Sequence, residues 1–181
     1  REISARHAGS VAGAVWAYLP PLLTVAAYYL VFDVVFAMRL GEQAPVRSVG
    51  AYLIVGSLPW MAFCDSISRA TNSLIDAGSL LQKNPLPPAL FPARTVVASA
   101  VIFGPLIALM TLAYSPMHRF SPALVALLPL ALLQVVLCWL LGYLLAVCAA
   151  ALRDVTAIVG FVLSVGIYLS PVLFPASMFP A

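Results

Sequence analysis

The chain has one lysine, Lys83, set in Leu81-Gln82-Lys83-Asn84 with no glycine-rich turn leading into it. A phosphate-binding loop needs its lysine directly after such a turn, so the chain has no Walker-type ATP site of its own. The two histidines, His7 and His118, stand in separate polar flanks and no HExxH run occurs, which argues against a metal site. No GxSxG elbow is present, and nothing else points to a serine hydrolase. Cys64, Cys138 and Cys148 lie in apolar runs without a CxxC. An odd count in that pattern reads as small apolar thiols, not as a disulfide framework or zinc site. Two carboxylates remain: Asp33 well inside an apolar run and Asp65 near the end of another. Intramembrane carboxylates mark ion or proton coupling, but a proton-driven carrier needs more of them at defined depths. Asp33 reads either as a polar contact in a substrate path or as an interfacial carboxylate reaching water or Arg39. Residues six apart on a helix do not share a face, so the second pairing needs a bend.

The elements that position these residues follow from composition. Of 181 residues, 64% are hydrophobic and 8% charged, with mean hydropathy +1.07. Soluble domains are nearer half apolar and a quarter charged, so the composition argues against a water-soluble enzyme and against disorder. It fits an integral membrane protein. A net charge of +3, scattered along the chain, gives no nucleic-acid footprint. Uncharged runs of about 20 residues mark helical spans. The first is 17–38, broken by Asp33; the second starts at Val49, is apolar to Cys64 and continues as helix through Asp65 and Ser68. The third is 96–115, the fourth lies within 122–152, and the fifth starts at Val155 and is interrupted at Ser170-Pro171. No barrel-like alternation occurs, so the spans are helices. The expected fold is all-α and polytopic, a single membrane domain over 1–181 with no signal peptide and no internal repeat.

Short-loop charge sets the orientation. With the N-terminus inside, Arg1, Arg6, Arg69, Lys83, Arg94 and Arg153 are cytoplasmic and Arg39, Arg47 and Arg119 are outside. The longest polar stretch, 65–94, is then cytoplasmic. Within it, Ile67, Ala70, Leu74 and Ile75 have helical spacing, and the prolines of Asn84-Pro85-Leu86-Pro87-Pro88 stop the helix. Such a helix is either a docking element for a soluble partner or an ordinary interfacial loop helix.

Several runs, read in order, carry a resemblance. Arg1-Glu2-Ile3, Arg6-His7-Ala8-Gly9-Ser10, Gly13 and Trp16 come first, then Pro20-Pro21-Leu22-Leu23. Gly56-Ser57-Leu58-Pro59-Trp60 is followed by Ala70, Asn72 and Ser73-Leu74-Ile75. Next come Leu80-Leu81-Gln82-Lys83-Asn84-Pro85-Leu86-Pro87 and Phe91-Pro92, and finally Arg153-Asp154-Val155 with Leu169-Ser170-Pro171-Val172-Leu173-Phe174-Pro175. Over nearly its whole length the chain resembles the permease subunit of type-2 ABC exporters that move O-antigen, capsular polysaccharide or teichoic acid. His7 stands where that family commonly has an aromatic residue, and Leu86-Pro87 replaces its commoner Phe-Pro.

The resemblance implies six spans, of which five are visible here, with a trimmed N-terminus and a sixth helix beyond. It implies a homodimer in the bacterial inner membrane, N-terminus cytoplasmic, served by cytoplasmic ATP-binding cassette subunits. ATP and Mg would sit on those partners, with no cofactor in this chain, and the chain would be a non-catalytic subunit. The cargo would be a lipid-linked glycan, with membrane lipids as further partners and no nucleic acid. A coupling helix over about 72–87 would dock the ATPase through Asn72, Leu74, Ile75, Leu80, Leu81 and Lys83. An interfacial gate helix would use Arg1, Arg6, Gly9, Ser10 and Trp16, or serve as a plain basic anchor. Gly9 and Gly13 form a GxxxG. Ser170, Pro171, Phe174 and Pro175 would build an outer re-entrant gate, or a simple exit loop. Tyr28, Tyr29, Phe32, Phe36 and Trp60 would line a substrate path, or form packing and an aromatic belt. The alternatives are a type-2 permease for a lipid, drug or other small molecule, a membrane-embedded enzyme or assembly factor, and a proton-coupled carrier.

Overall fold

A computed structural model of the chain describes residues 15–36, 49–83, 86–114, 123–170 and 172. The described elements are helical throughout: α1 (Val15–Tyr28), a π-helical continuation (Tyr29–Val35), α2 (Val49–Asp76), α3 (Gly78–Lys83), α4 (Leu90–Tyr114), α5 (Ala123–Ala151) and α6 (Asp154–Leu169). This is an all-α polytopic membrane fold. Four of these segments, Val15–Val35, Val49–Asp76, Leu90–Ala113 and Ala126–Ala151, are long and apolar enough to cross a bilayer. The fifth expected span appears as α6, an apolar helix of 16 residues that ends at Leu169, just before the Ser170-Pro171 interruption.

Helix ends follow local chemistry. α2 runs twelve residues past Cys64, because charged and polar side chains end an apolar run without ending a helix. It stops at Asp76, where the Ala77 carbonyl accepts N–H bonds from Leu80 (3.0 Å) and Leu81 (2.9 Å) and so starts α3. α4 begins earlier than the uncharged run suggests, at Leu90. Its entry is set by the Pro87 and Pro88 carbonyls, which accept from Leu90 (3.1 Å) and Phe91 (3.3 Å). Arg94 lies inside it. α5 and α6 meet at a corner of two residues, Leu152 and Arg153; the Thr156 hydroxyl donates to the Arg153 carbonyl (2.8 Å). Asp154 occupies the first turn of α6, where a carboxylate favours the positive helix end.

The described residues fall into two compact units, one within Arg1–Met61 and Gly166–Ala181, the other Ala62–Val165. In the second, Ile67, Ala70, Val96, Cys138 and Val159 form a buried cluster, with Phe63, Leu141 and Leu163 packed on it. A further cluster joins Leu74, Ala77, Phe91 and Ala146. Cys138, Gly142, Ala146 and Ala149 make a stripe of small buried residues along α5. Without a hydrophobic drive between helices in lipid, close van der Waals approach across small residues holds spans together. The contact is tight: a Cβ on Gly142 would come within 2.6 Å of the Ala70 Cβ. In the first unit, Ala51, Leu53, Ile54 and Leu58 are buried on α2.

Gly142→Val should force α2 and α5 apart and lower the thermal midpoint of the detergent-solubilised protein, by about 1–3 kcal/mol in stability. Pairing it with Ala70→Gly should recover part of the loss. An unchanged midpoint for Gly142→Val would remove the close approach as a determinant.

Candidate functional site

The charged groups of the spans are held by local geometry. Asp65 and Arg69 are four apart on α2, the spacing that brings opposite charges together on a helix. Arg69 Nε donates to Asp65 Oδ1 at 2.6 Å, and the fully buried Ser99 hydroxyl of α4 donates to Asp65 Oδ2. One carboxylate thus ties two spans and orients a guanidinium. The sequence placed Asp65 at a span edge; the four-residue spacing to Arg69 was its available signal, whereas nothing pointed to Ser99.

Asp33 makes a contact that neither sequence reading named. Its Oδ1 accepts the Gly50 N–H of α2 at 3.2 Å. A carboxylate at a helix N-terminus meets unpaired N–H groups and the positive end of the helix dipole. Gly50 is what permits it, since a Cβ there would lie 2.6 Å from Asp33 Oδ2 and 2.8 Å from Cγ. Arg39 lies outside the described residues.

The aromatic residues of the first span form a ladder. Tyr28 and Phe32 have ring centroids 6.2 Å apart with planes tilted by 55°, and Phe32 and Phe36 are 6.4 Å apart at 43°. The run is π-helical, and Phe36 N–H reaches back five residues to the Val31 carbonyl (3.0 Å). Tyr29 and Phe36 are exposed, Tyr28 and Phe32 partly so. Trp60 stands apart from the ladder in its packing. Its ring lies on Gly166, where a Cβ would come within 2.9 Å of Cη2.

The docking residues divide between two helices. Asn72, Leu74 and Ile75 belong to the end of α2, and Leu80, Leu81 and Lys83 to α3. The Asn72 amide donates to the Ser68 carbonyl (2.9 Å). Leu74 is buried in the cluster with Phe91 and Ala146, and Leu81 packs partly against it. Ile75, Leu80 and Lys83 are exposed. At the end of α6, the Ser170 hydroxyl donates to the Ile167 carbonyl (3.1 Å), and Val172 lies against Gly56, whose added Cβ would meet Val172 Cγ1 at 3.3 Å. Pro171, Phe174 and Pro175 lie outside the described residues, as do Arg1, Arg6, Gly9 and Ser10. Trp16 is described, on α1, and is exposed. Among the described residues no group of three or more His, Cys, Asp or Glu is placed to hold a metal.

This is a polytopic helical membrane protein in which Asp33 and Asp65 each join two helical elements. No family model matches the chain. It is 30% identical to the O-antigen export system permease protein RfbA of Myxococcus xanthus over 181 residues, covering 98% of this chain and 66% of that protein. Two O-antigen export system permease proteins RfbA of Klebsiella pneumoniae are 24% and 26% identical, each over 99% of this chain and 68% of their own length. The chain therefore spans about two thirds of the length of these relatives, and just under that of the first. Over nearly its whole length the chain is thus similar to proteins named as O-antigen export permeases.

If Gly50 makes room for the Asp33 cap, Gly50→Ala and Asp33→Ala should each cost about 1 kcal/mol of stability. The double variant should lose little more than either single one, since both remove the same contact. Additive losses in thermal unfolding of the purified protein would separate the two residues.

Proposed function

We propose that the chain is the membrane-spanning permease part of an ATP-driven exporter that moves a lipid-linked polysaccharide, of O-antigen, capsule or teichoic-acid type, across the bacterial inner membrane. The observation that carries this reading is similarity over 98–99% of the chain to three proteins named as O-antigen export permeases. The absence of a phosphate-binding loop from the sequence agrees with it. The N-terminus is cytoplasmic, and two copies of the permease pair around the path. ATP and Mg are held by separate cytoplasmic subunits, which supply the energy.

The coupling element in this reading is the end of α2 together with α3. Ile75 and Leu80 offer exposed apolar contacts to the ATPase, and Lys83 a charge at their rim. Leu74 and Leu81, packed against Phe91 and Ala146, tie that element to the spans. A short helix rooted in a packed cluster transmits a displacement that a loose loop would absorb. Tyr28, Phe32 and Phe36 present ring faces on which sugars slide, which suits a long polymer. Asn72 lies on the α2 side of the coupling element. Tyr29 and Trp60 flank the path in this reading, Trp16 anchors the entrance at headgroup depth, and Ser170 begins the outer gate.

Full-length protein in mild detergent should co-purify with a nucleotide-binding subunit, and the complex should hydrolyse ATP. Leu80→Glu should weaken that partnership and lower export while membrane insertion stays normal. Wild-type export by Leu80→Glu would sink the coupling assignment. Alanine at both Tyr28 and Phe32 should reduce export without loss of the spans; unchanged glycan export would take those rings out of the path.

A further inference from the structure

A recess of about 330 Å³ lies among α2, α4 and α5 within the unit Ala62–Val165. Ala62 and Ser66 line it from α2, Gly104 from α4, and Leu128, Gln134 and Cys138 from α5. Apart from the Ser66 hydroxyl, the Gln134 amide and the Cys138 thiol, its walls are hydrocarbon. Leu128 is 75% exposed and Leu132, also in its wall, 66%. The α5 wall is therefore continuous with the exposed apolar surface of that helix. Water in such a space needs two to four polar partners, and an apolar cavity of about 150 Å³ already stays dry and admits a benzene ring. A recess about twice that size, open toward lipid, is a seat for a hydrocarbon chain.

A second observation lies one turn further along the same helix face. Ala62, Ser66 and Arg69 stand at positions i, i+4 and i+7 of α2, so Arg69 lies on the helix face that lines the recess, one turn beyond it. Arg69 is fixed through Nε by Asp65 at 2.6 Å, and Asp65 is fixed in turn by Ser99. Among the described residues Asp65 is the only hydrogen-bonding partner of Arg69. The two terminal amino groups are left in a fixed fork, the geometry that receives phosphate oxygens. Asp65 cancels part of the charge, so the fork selects a phosphate headgroup while chain burial drives binding.

We propose that this recess and Arg69 together form a seat for one phospholipid of the surrounding bilayer, an acyl chain filling the recess and its phosphate meeting the Arg69 guanidinium. The seat rests on these helices spanning a membrane and does not depend on the cargo. A bilayer lipid is the occupant because the recess opens through α5 to the lipid-facing surface, where such chains are the solvent. An ordered lipid there would complete the packing of α2, α4 and α5.

Native mass spectrometry of the full-length protein tests this, with titration by phosphatidylglycerol, by diacylglycerol of the same chains, and by polyprenyl phosphate. One phosphatidylglycerol should be retained per protomer. Gly104→Leu should weaken both phosphatidylglycerol and diacylglycerol by about tenfold, because a Cβ at Gly104 meets nothing within 4 Å and the side chain fills the space. Ala131→Leu, from the α5 wall, should do the same and decides the matter if the first variant does not fold. Arg69→Gln should weaken phosphatidylglycerol and leave diacylglycerol unchanged. Wild-type lipid retention by the filled variants would overturn the seat, and an Arg69→Gln variant with unaltered preference would overturn the phosphate contact. Polyprenyl phosphate binding more tightly than phosphatidylglycerol and displacing it one for one would overturn the bilayer-lipid assignment and make the recess a cargo site.

Discussion

Hydrocarbon offers no hydrogen bonds, and the described polar side chains of this chain are arranged around that fact. Hydroxyls fold back on their own helices: Thr24 on the Pro20 carbonyl, Thr71 on Ile67, Ser73 on Ala70, Thr95 on Pro92, Thr111 on Ile107. This local bonding hides a polar atom without requiring a neighbour. The two carboxylates of the apolar segments cannot be hidden so cheaply, because an ion needs several donors or a counter-charge. Asp33 finds backbone N–H at the start of α2, and Asp65 finds a guanidinium and a hydroxyl. Each solution joins elements distant in sequence, so the polar groups that lipid penalises become the cross-links of the fold.

Small residues make the complementary contribution. Where no polar bond is made, the helices gain by approaching until backbones nearly touch. Gly142 against the Ala70 methyl is such a point, and Gly166 likewise leaves room for the Trp60 ring, each inside its own unit. The α5 stripe of Cys138, Gly142, Ala146 and Ala149 concentrates the approach on one face, while Leu128, Leu133 and Leu140 are left exposed on the same helix. The membrane fold is thus narrow in its internal contacts and broad in its external apolar surface, as expected for a chain whose solvent is itself apolar.

Much of this was legible in the sequence. The apolar runs located the helical segments, and Pro87 and Pro88 lie in the break before α4. The Arg153-Asp154 pair sits at the corner between α5 and α6. Helix limits were less legible: α4 starts at Leu90 and not near Val96, since an apolar window measures lipid contact while hydrogen bonding measures helix. The Asp33–Gly50 contact was hidden because it joins a side chain to a backbone N–H 17 residues away on another helix. Leu74, a docking residue in the reading implied by the resemblance, is buried by Phe91 and Ala146 from other helices, which its spacing did not reveal. The pairing of Tyr28, Phe32 and Phe36 was visible as a four-residue repeat; the π-helical winding beneath it was not, because no residue type specifies it.

That winding gives the first span a property the other described spans lack. A π turn contains one more residue than the α turn it replaces, so 29–35 stores surplus chain inside an otherwise regular rod. Removing a residue elsewhere in a helix rotates everything beyond it by roughly 100°. Here a one-residue deletion can be taken up by relaxing the segment to ordinary α-helix, with the flanking faces nearly preserved. In the history of such a chain this is a place where length can change by one without scrambling which side chains face which way.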